Sequence, residues 1–126
     1  MILGGGDGAL LHELLKENPK FVTMVDIDDA VIRGCGEHMR SVCGDVLDKS
    51  DGDNYKIIVD DAFVWLKKYE EEGKQFDVIF GDLTDIPVHE QSSTWDFVRA
   101  VLRMSLSILP VGEQVFWDRL HLQFIY

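Results

Sequence analysis

Five residues, Gly4-Gly5-Gly6-Asp7-Gly8, stand between a short apolar run, Met1 to Leu3, and a stretch of helical apolar spacing from about Ala9 to Glu17. A glycine loop that leaves a strand and opens a helix lets a ligand approach the backbone closely. The rest of the chain repeats the same alternation, short β-type runs followed by longer helical ones, which is the pattern of βαβ units feeding one parallel sheet. Phe21 to Val25 reads as a second strand, and Asp28 is placed to cap a helix from Asp29 to about Met39, weakened internally by Gly34 and Gly36. Tyr55 to Val59 reads as a third strand, with Asp60 or Asp61 capping a helix whose apolar face includes Phe63, Leu66 and Tyr69. Phe76 to Phe80 reads as a fourth, ending at Gly81-Asp82. A polar loop carrying Pro87 leads to Ser93, which with Asp96 three residues on makes a capping-box-like start to a helix through Leu109. Val115 to Trp117 begins a fifth strand, and the crowded apolar residues after it read as an edge strand or an exposed liability. Three residues make a short first strand for a central position in a sheet, so the chain is expected to lack a neighbouring segment at its amino end.

The 126 residues, 46% of them hydrophobic, suffice for one domain with a core of its own. Lys and Arg number 12 against 23 Asp and Glu, a net charge of −11 that works against a nucleic-acid backbone or an anionic membrane surface and favours cationic partners. No apolar stretch approaches the roughly 20 residues of a spanning helix, and no leader pattern opens the chain. Two cysteines, Cys35 and Cys43, do not make a disulfide framework, so a reduced cytoplasmic location is expected. His12, His38, His89 and His121 share no short spacing, and no metal site is expected.

Chemistry concentrates in the acids. Asp26 lies 20 residues beyond Gly6, at the end of the second strand, where dinucleotide-type folds place an acid on ribose hydroxyls. Asp7 follows strand one, Asp60-Asp61 strand three and Asp82 strand four. In the strand order 3-2-1-4-5, strands one and four are neighbours, and Asp7 and Asp82 are expected to face each other at the switch point where open α/β sheets bind ligands. A pyrophosphate on the loop would meet the Asp7 carboxylate at close range, which disfavours NAD and ATP. The carboxylate of S-adenosylmethionine meets the same objection. A nucleoside carrying a sulfonium and a free amine is instead attracted. The plainer role for Asp7 is a helix-start acid favoured by the dipole, and acids at strand ends also serve as caps.

The segments ILGGGDG, MVDID, CGDVLD, the VDD ending strand three, GDLTDIP and STWDF occur in the order found in the polyamine aminopropyltransferases, over most of Met1 to Leu109. GDLTDIP resembles the spermine synthase branch more than the serine-rich DSSDP of spermidine synthases. The resemblance implies an α/β fold, a Rossmann-like, S-adenosylmethionine-dependent-methyltransferase-type open parallel sheet. It implies transfer of an aminopropyl group from decarboxylated S-adenosylmethionine to spermidine, giving spermine and methylthioadenosine, with no prosthetic group and no metal. Carried over by motif, Asp82 would accept a proton and bind substrate, Asp7 would hold an amine of the polyamine, Asp26 the ribose, and Asp61 with Ala62 the adenine end, while Gly4 and Gly6 line the donor. Asp26 stands where the family usually has glutamate, and Ala9 where the loop often continues with glycine. Residues 1–109 are thus read as the catalytic core, truncated at strand one, and residues 110–126 as a divergent tail. The family's usual dimer region is expected to be missing, although a family-like homodimer stays open. A non-catalytic module binding nucleoside or polyamine, a spermidine synthase-type activity and a small-molecule methyltransferase are the alternatives.

Overall fold

The computed structural model describes residues 1–83, 93–112, 114–117 and 122–125. Its strands are β1 (Ile2–Gly4), β2 (Val22–Asp26), β3 (Tyr55–Val59), β4 (Val78–Asp82), β5 (Gln114–Trp117) and β6 (Leu122–Ile125). Between them run α1 (Ala9–Lys16), α2 (Asp29–His38), α3 (Arg40–Cys43), α4 (Ala62–Glu71) and α5 (Ser93–Ser107). The sheet order is β3-β2-β1-β4-β5-β6. This is the open α/β sheet expected from the sequence, order 3-2-1-4-5, with β6 added antiparallel to β5 at the far edge. The loop with Pro87 and His89, the side chain of Trp95, and His121 lie outside the described residues. No helix among the described residues is long and apolar enough to cross a membrane.

The chain divides into two compact units, Met1–Ala62 and Phe63–Tyr126. In the first, β2 pairs in parallel with β1 through Ile2↔Met24 and Leu3↔Val25, and with β3 from Val22↔Tyr55 to Asp26↔Val59. Ile2, Met24 and Ile57 from the strands, Leu11 from α1, Ile32 from α2 and Cys43 from α3 bury a common core. The α2 start follows its expected cap: the Asp28 carboxylate accepts from the Ala30 and Val31 amides at 3.0 and 3.1 Å. Past His38 the chain turns at Met39 into the one-turn α3, which the sequence reading did not foresee. Next to β3, the segment 50–52 folds back along the strand, where Ser50 C=O accepts from Ile57 N–H at 2.7 Å and Tyr55 C=O accepts from Gly52 N–H at 3.0 Å. A Cβ at Gly52 would collide with the Tyr55 ring as it lies, so glycine here lets the ring pack against the folded-back segment.

In the second unit β4 and β5 are parallel, Val78↔Gln114 to Gly81↔Trp117. Of the apolar residues at helical spacing along α5, Val98, Val101 and Leu102 are buried and Leu106 is half-buried, and Leu109, just beyond the helix, is buried. Phe63 meets Phe97 edge-on at 5.3 Å, and Tyr69 meets Phe76 at 5.2 Å. The start of β4 and the end of α5 each fall two residues from expectation, and both involve the chain near Ile108. Strand β4 begins at Val78 rather than Phe76, because the Phe76 amide donates to Ile108 C=O at 2.9 Å and is spent outside the ladder. Helix α5 ends at Ser107 rather than Leu109, since Ile108 and Leu109 close into tighter turns on Ser105 and Leu106. The shift carries Asp82 into β4 as its last residue.

Candidate functional site

The glycine loop in the first unit is shaped by hydrogen bonds that only this composition allows. Gly8 N–H donates to Gly5 C=O at 2.9 Å, and both residues have positive φ, 75° and 79°, where a side chain would strain the backbone. Gly6 answers a different constraint. A Cβ there would lie 2.9 Å from Asp26 Oδ2 and 3.0 Å from Asp26 Cγ, so the carboxylate occupies the space a side chain would need.

Asp26 is thereby fixed at the end of β2. Its Oδ2 accepts from Gly6 N–H at 2.8 Å, and its Oδ1 accepts from Asp28 N–H at 2.8 Å. Each bond is charge-assisted, and together they hold the carboxylate against the loop from one side and against the start of α2 from the other. An ionised carboxylate has about four acceptor positions, so two backbone donors leave capacity for hydroxyls of a ligand. The residue is half-buried, which gives it both a rigid seat and access to solvent. Sequence spacing pointed to Asp26 as a ribose acid; that it also latches the loop through Gly6, and that the Asp28 amide takes part, was not read from the sequence.

Asp7 is half-buried within the loop, and its Oδ1 accepts from Ala9 N–H at 2.9 Å. The helix-start role weighed for this residue is therefore real. One such bond satisfies an otherwise orphaned amide of the first helical turn and uses a fraction of the carboxylate's acceptor capacity. Burial pushes the Cys35 thiol up from its ordinary value, and the neighbouring Asp7 carboxylate pushes in the same direction. Both effects disfavour the thiolate, the reactive form of the side chain. Cys43 is fully buried, and its thiol donates to Met39 C=O at 3.3 Å.

At the end of β3, Asp60 N–H donates to Asp26 C=O at 3.0 Å, and Asp60 Oδ1 accepts from Asp61 N–H at 2.8 Å. Ala62 is buried and opens α4. The first unit accordingly gathers Gly4, Gly6, Asp7, Asp26 and Asp61-Ala62 at the carboxyl ends of β1, β2 and β3. Asp82 ends β4 in the second unit and is half-buried. Among the described residues no group of three or more His, Cys, Asp or Glu has the arrangement of a metal site.

Residues 1–109 match the spermine/spermidine synthase domain. The polyamine aminopropyltransferase of Pyrobaculum arsenaticum is 32% identical over 108 residues, which covers 82% of this chain and 36% of that protein. The chain spans about a third of the length of the curated relatives it matches. Among solved structures, a spermidine synthase in complex with the transition-state analogue AdoDATO superposes with a TM-score of 0.66 at 20% identity, covering 90% of this chain and 34% of that one. Human methyltransferase-like protein 13 in complex with SAH superposes with a TM-score of 0.67 at 22% identity, covering 90% of this chain and 50% of its own. At these identities the likeness is one of fold, common to both enzyme classes.

Proposed function

The chain belongs to the spermine/spermidine synthase family, and on that premise we propose that it forms the donor- and acceptor-binding core of a polyamine aminopropyltransferase. The donor is decarboxylated S-adenosylmethionine. The acceptor is spermidine, a choice supported by the run from Gly81 to Pro87, GDLTDIP. The observation that carries the reading is the Asp26 carboxylate, seated at the end of β2 by the amides of Gly6 and Asp28. There it can accept ribose hydroxyls while Gly4 and Gly6 leave the backbone open to the nucleoside. Asp61 and Ala62 border the adenine end. Asp7, already an acceptor for Ala9 N–H, offers its remaining acceptor positions to an amine of the polyamine, and a like-charged donor carboxylate is repelled from it.

The reaction needs little from the protein beyond alignment and a base. The acceptor amine forms a bond to the aminopropyl carbon as the carbon–sulfur bond breaks, and the sulfonium leaves as the neutral thioether of methylthioadenosine. The proton shed by the amine passes to the Asp82 carboxylate. A sulfonium is a good leaving group without acid or metal assistance, so positioned carboxylates and held geometry account for the chemistry. Several acids in sequence also register the spacing of a polycation, which one cannot.

The test is release of methylthioadenosine from decarboxylated S-adenosylmethionine with spermidine, compared with putrescine, for the chain and its Asp82→Asn variant. Turnover should fall by about 10²- to 10⁴-fold in the variant, the usual worth of a general base, with the unfolding midpoint held. Full-rate turnover by Asp82→Asn rejects the proton-acceptor role. Faster reaction with putrescine reassigns the acceptor, preference for the carboxylate-bearing donor points to a methyltransferase, and nucleoside binding without turnover leaves a binding module.

A further inference from the structure

We infer that Leu47 is a positioning residue for the glycine loop and that Gly36 is glycine in order to admit it; that the loop holds a nucleoside rests on the aminopropyltransferase reading. An ideal Cβ at Gly8 would lie 2.8 Å from Leu47 Cγ and 2.9 Å from each of its methyl carbons. The isobutyl group therefore fills the place where any other residue at position 8 would begin its side chain. On its other side, a Cβ at Gly36 would lie 3.3 Å from Leu47 Cβ. Gly34, two residues earlier in the same helix, would meet nothing within 4 Å.

Glycine weakens a helix interior, and the two glycines of α2 are thus not equivalent: one leaves room for a side chain from another segment, the other does not. Leu47 is itself held. It packs against the core of the first unit, and the next residue, Asp48, closes a turn by donating its amide to Asp45 C=O at 3.1 Å. The Asp48 carboxylate takes a two-pronged bond from Arg40 at 2.7 and 3.0 Å. The chain from α3 onward is in this way braced to press one side chain onto Gly8, the residue that closes the loop by donating to Gly5. Gly8 has positive φ and a glycine's freedom to leave it. Contact with Leu47 restricts that freedom, which keeps the Gly6 amide on Asp26.

The experiment compares Leu47→Ala, Leu47→Met, Gly36→Ala and Gly34→Ala in the 126-residue chain. Amide hydrogen exchange is read at Gly6 and Gly8 against the core amides of Met24 and Ile57, and methylthioadenosine affinity by calorimetry. Gly36→Ala and Leu47→Ala should raise loop exchange relative to core exchange by roughly tenfold and weaken methylthioadenosine by a similar factor, the effect of about 1.4 kcal/mol. Leu47→Met, which conserves volume, should restore both. Gly34→Ala should protect α2 and leave the loop as it was. If Gly36→Ala behaves like Gly34→Ala, or if Leu47→Ala moves loop and core exchange together, the role assigned to Leu47 is wrong. A chain that fails to bind methylthioadenosine refutes the aminopropyltransferase reading, while the exchange ratios still decide the role of Leu47.

Discussion

Gly6→Ala and Asp26→Ala form a cycle whose outcome follows from three atoms. The new methyl of Gly6→Ala would lie 2.9 Å from Asp26 Oδ2 and 3.0 Å from Cγ, too close for either to stay in place. The carboxylate must withdraw, and the 2.8 Å bond from the Gly6 amide to the same Oδ2 weakens as it does. Overpacking costs about 1–3 kcal/mol and a hydrogen bond to a charged group contributes about 1.5–3 kcal/mol. The two penalties share one contact, so together they come to about 2–4 kcal/mol rather than their sum. Asp26→Ala removes the acceptor from Gly6 and from the more exposed Asp28 amide, again about 2–4 kcal/mol once the exposed bond is discounted. With the carboxylate gone, a methyl at position 6 has nothing to displace. The double variant should be about as stable as Asp26→Ala alone, so the coupling equals the whole Gly6→Ala penalty, about 2–4 kcal/mol, where independent sites differ by less than about 0.5 kcal/mol. Urea unfolding of the four proteins at pH 7, with unchanged m-values, measures it. Penalties that simply add would refute the reasoning, since they would mean that Gly6 and Asp26 do not compete for one space.

Asp28→Ala should cost about 1 kcal/mol by removing the cap on the Ala30 and Val31 amides, and Asp28→Asn should recover most of it; thermal unfolding followed by circular dichroism reads both. Burial, first among the causes, raises the Cys35 thiol and the Tyr55 phenol, the latter with help from Asp45, Asp48 and Asp53. A folded-state pKa above the unfolded one means that the stabilisation is complete below the ordinary values, about 8.5 and 10, and is lost as pH rises from each of these through the higher folded-state value. Unfolding midpoints should fall from pH 8 to 11, with Cys35→Ser flattening the lower part of the curve and Tyr55→Phe the upper. In the native protein a disulfide thiol reagent should modify Cys35 more slowly than a free peptide cysteine, and Cys43 only on unfolding, as its burial requires.

The elements legible in the sequence are those whose signals are local. Tyr55–Val59 forms a strand over the span its β-branched run marks out, and α2 starts where Asp28 caps it. Strand β4 was misplaced by two residues because the bond that removes Phe76 comes from Ile108, far along the chain, and nothing near Phe76 announces it. Spacing alone placed Asp26 beyond Gly6, but the choice of which amides its oxygens take depends on how β1 and β2 pair. Leu47 stands out in the sequence only as part of the CGDVLD segment, with no role of its own, and Gly36 reads only as a helix fault. Each acquires meaning from the other, across a fold that brings distant segments into contact.

The strip from Ser50 to Gly52 has a bearing on how this protein behaves at high concentration. A border strand with vacant amides and carbonyls invites another polypeptide to continue the sheet, the route to fibrous or domain-swapped assemblies. On β3 the Tyr55 carbonyl and the Ile57 amide are already taken by the chain's own backbone, and Lys56 is tethered to Asp51 at 3.6 Å. The molecule closes that half of its margin with three of its own residues, so growth by strand addition has no foothold there.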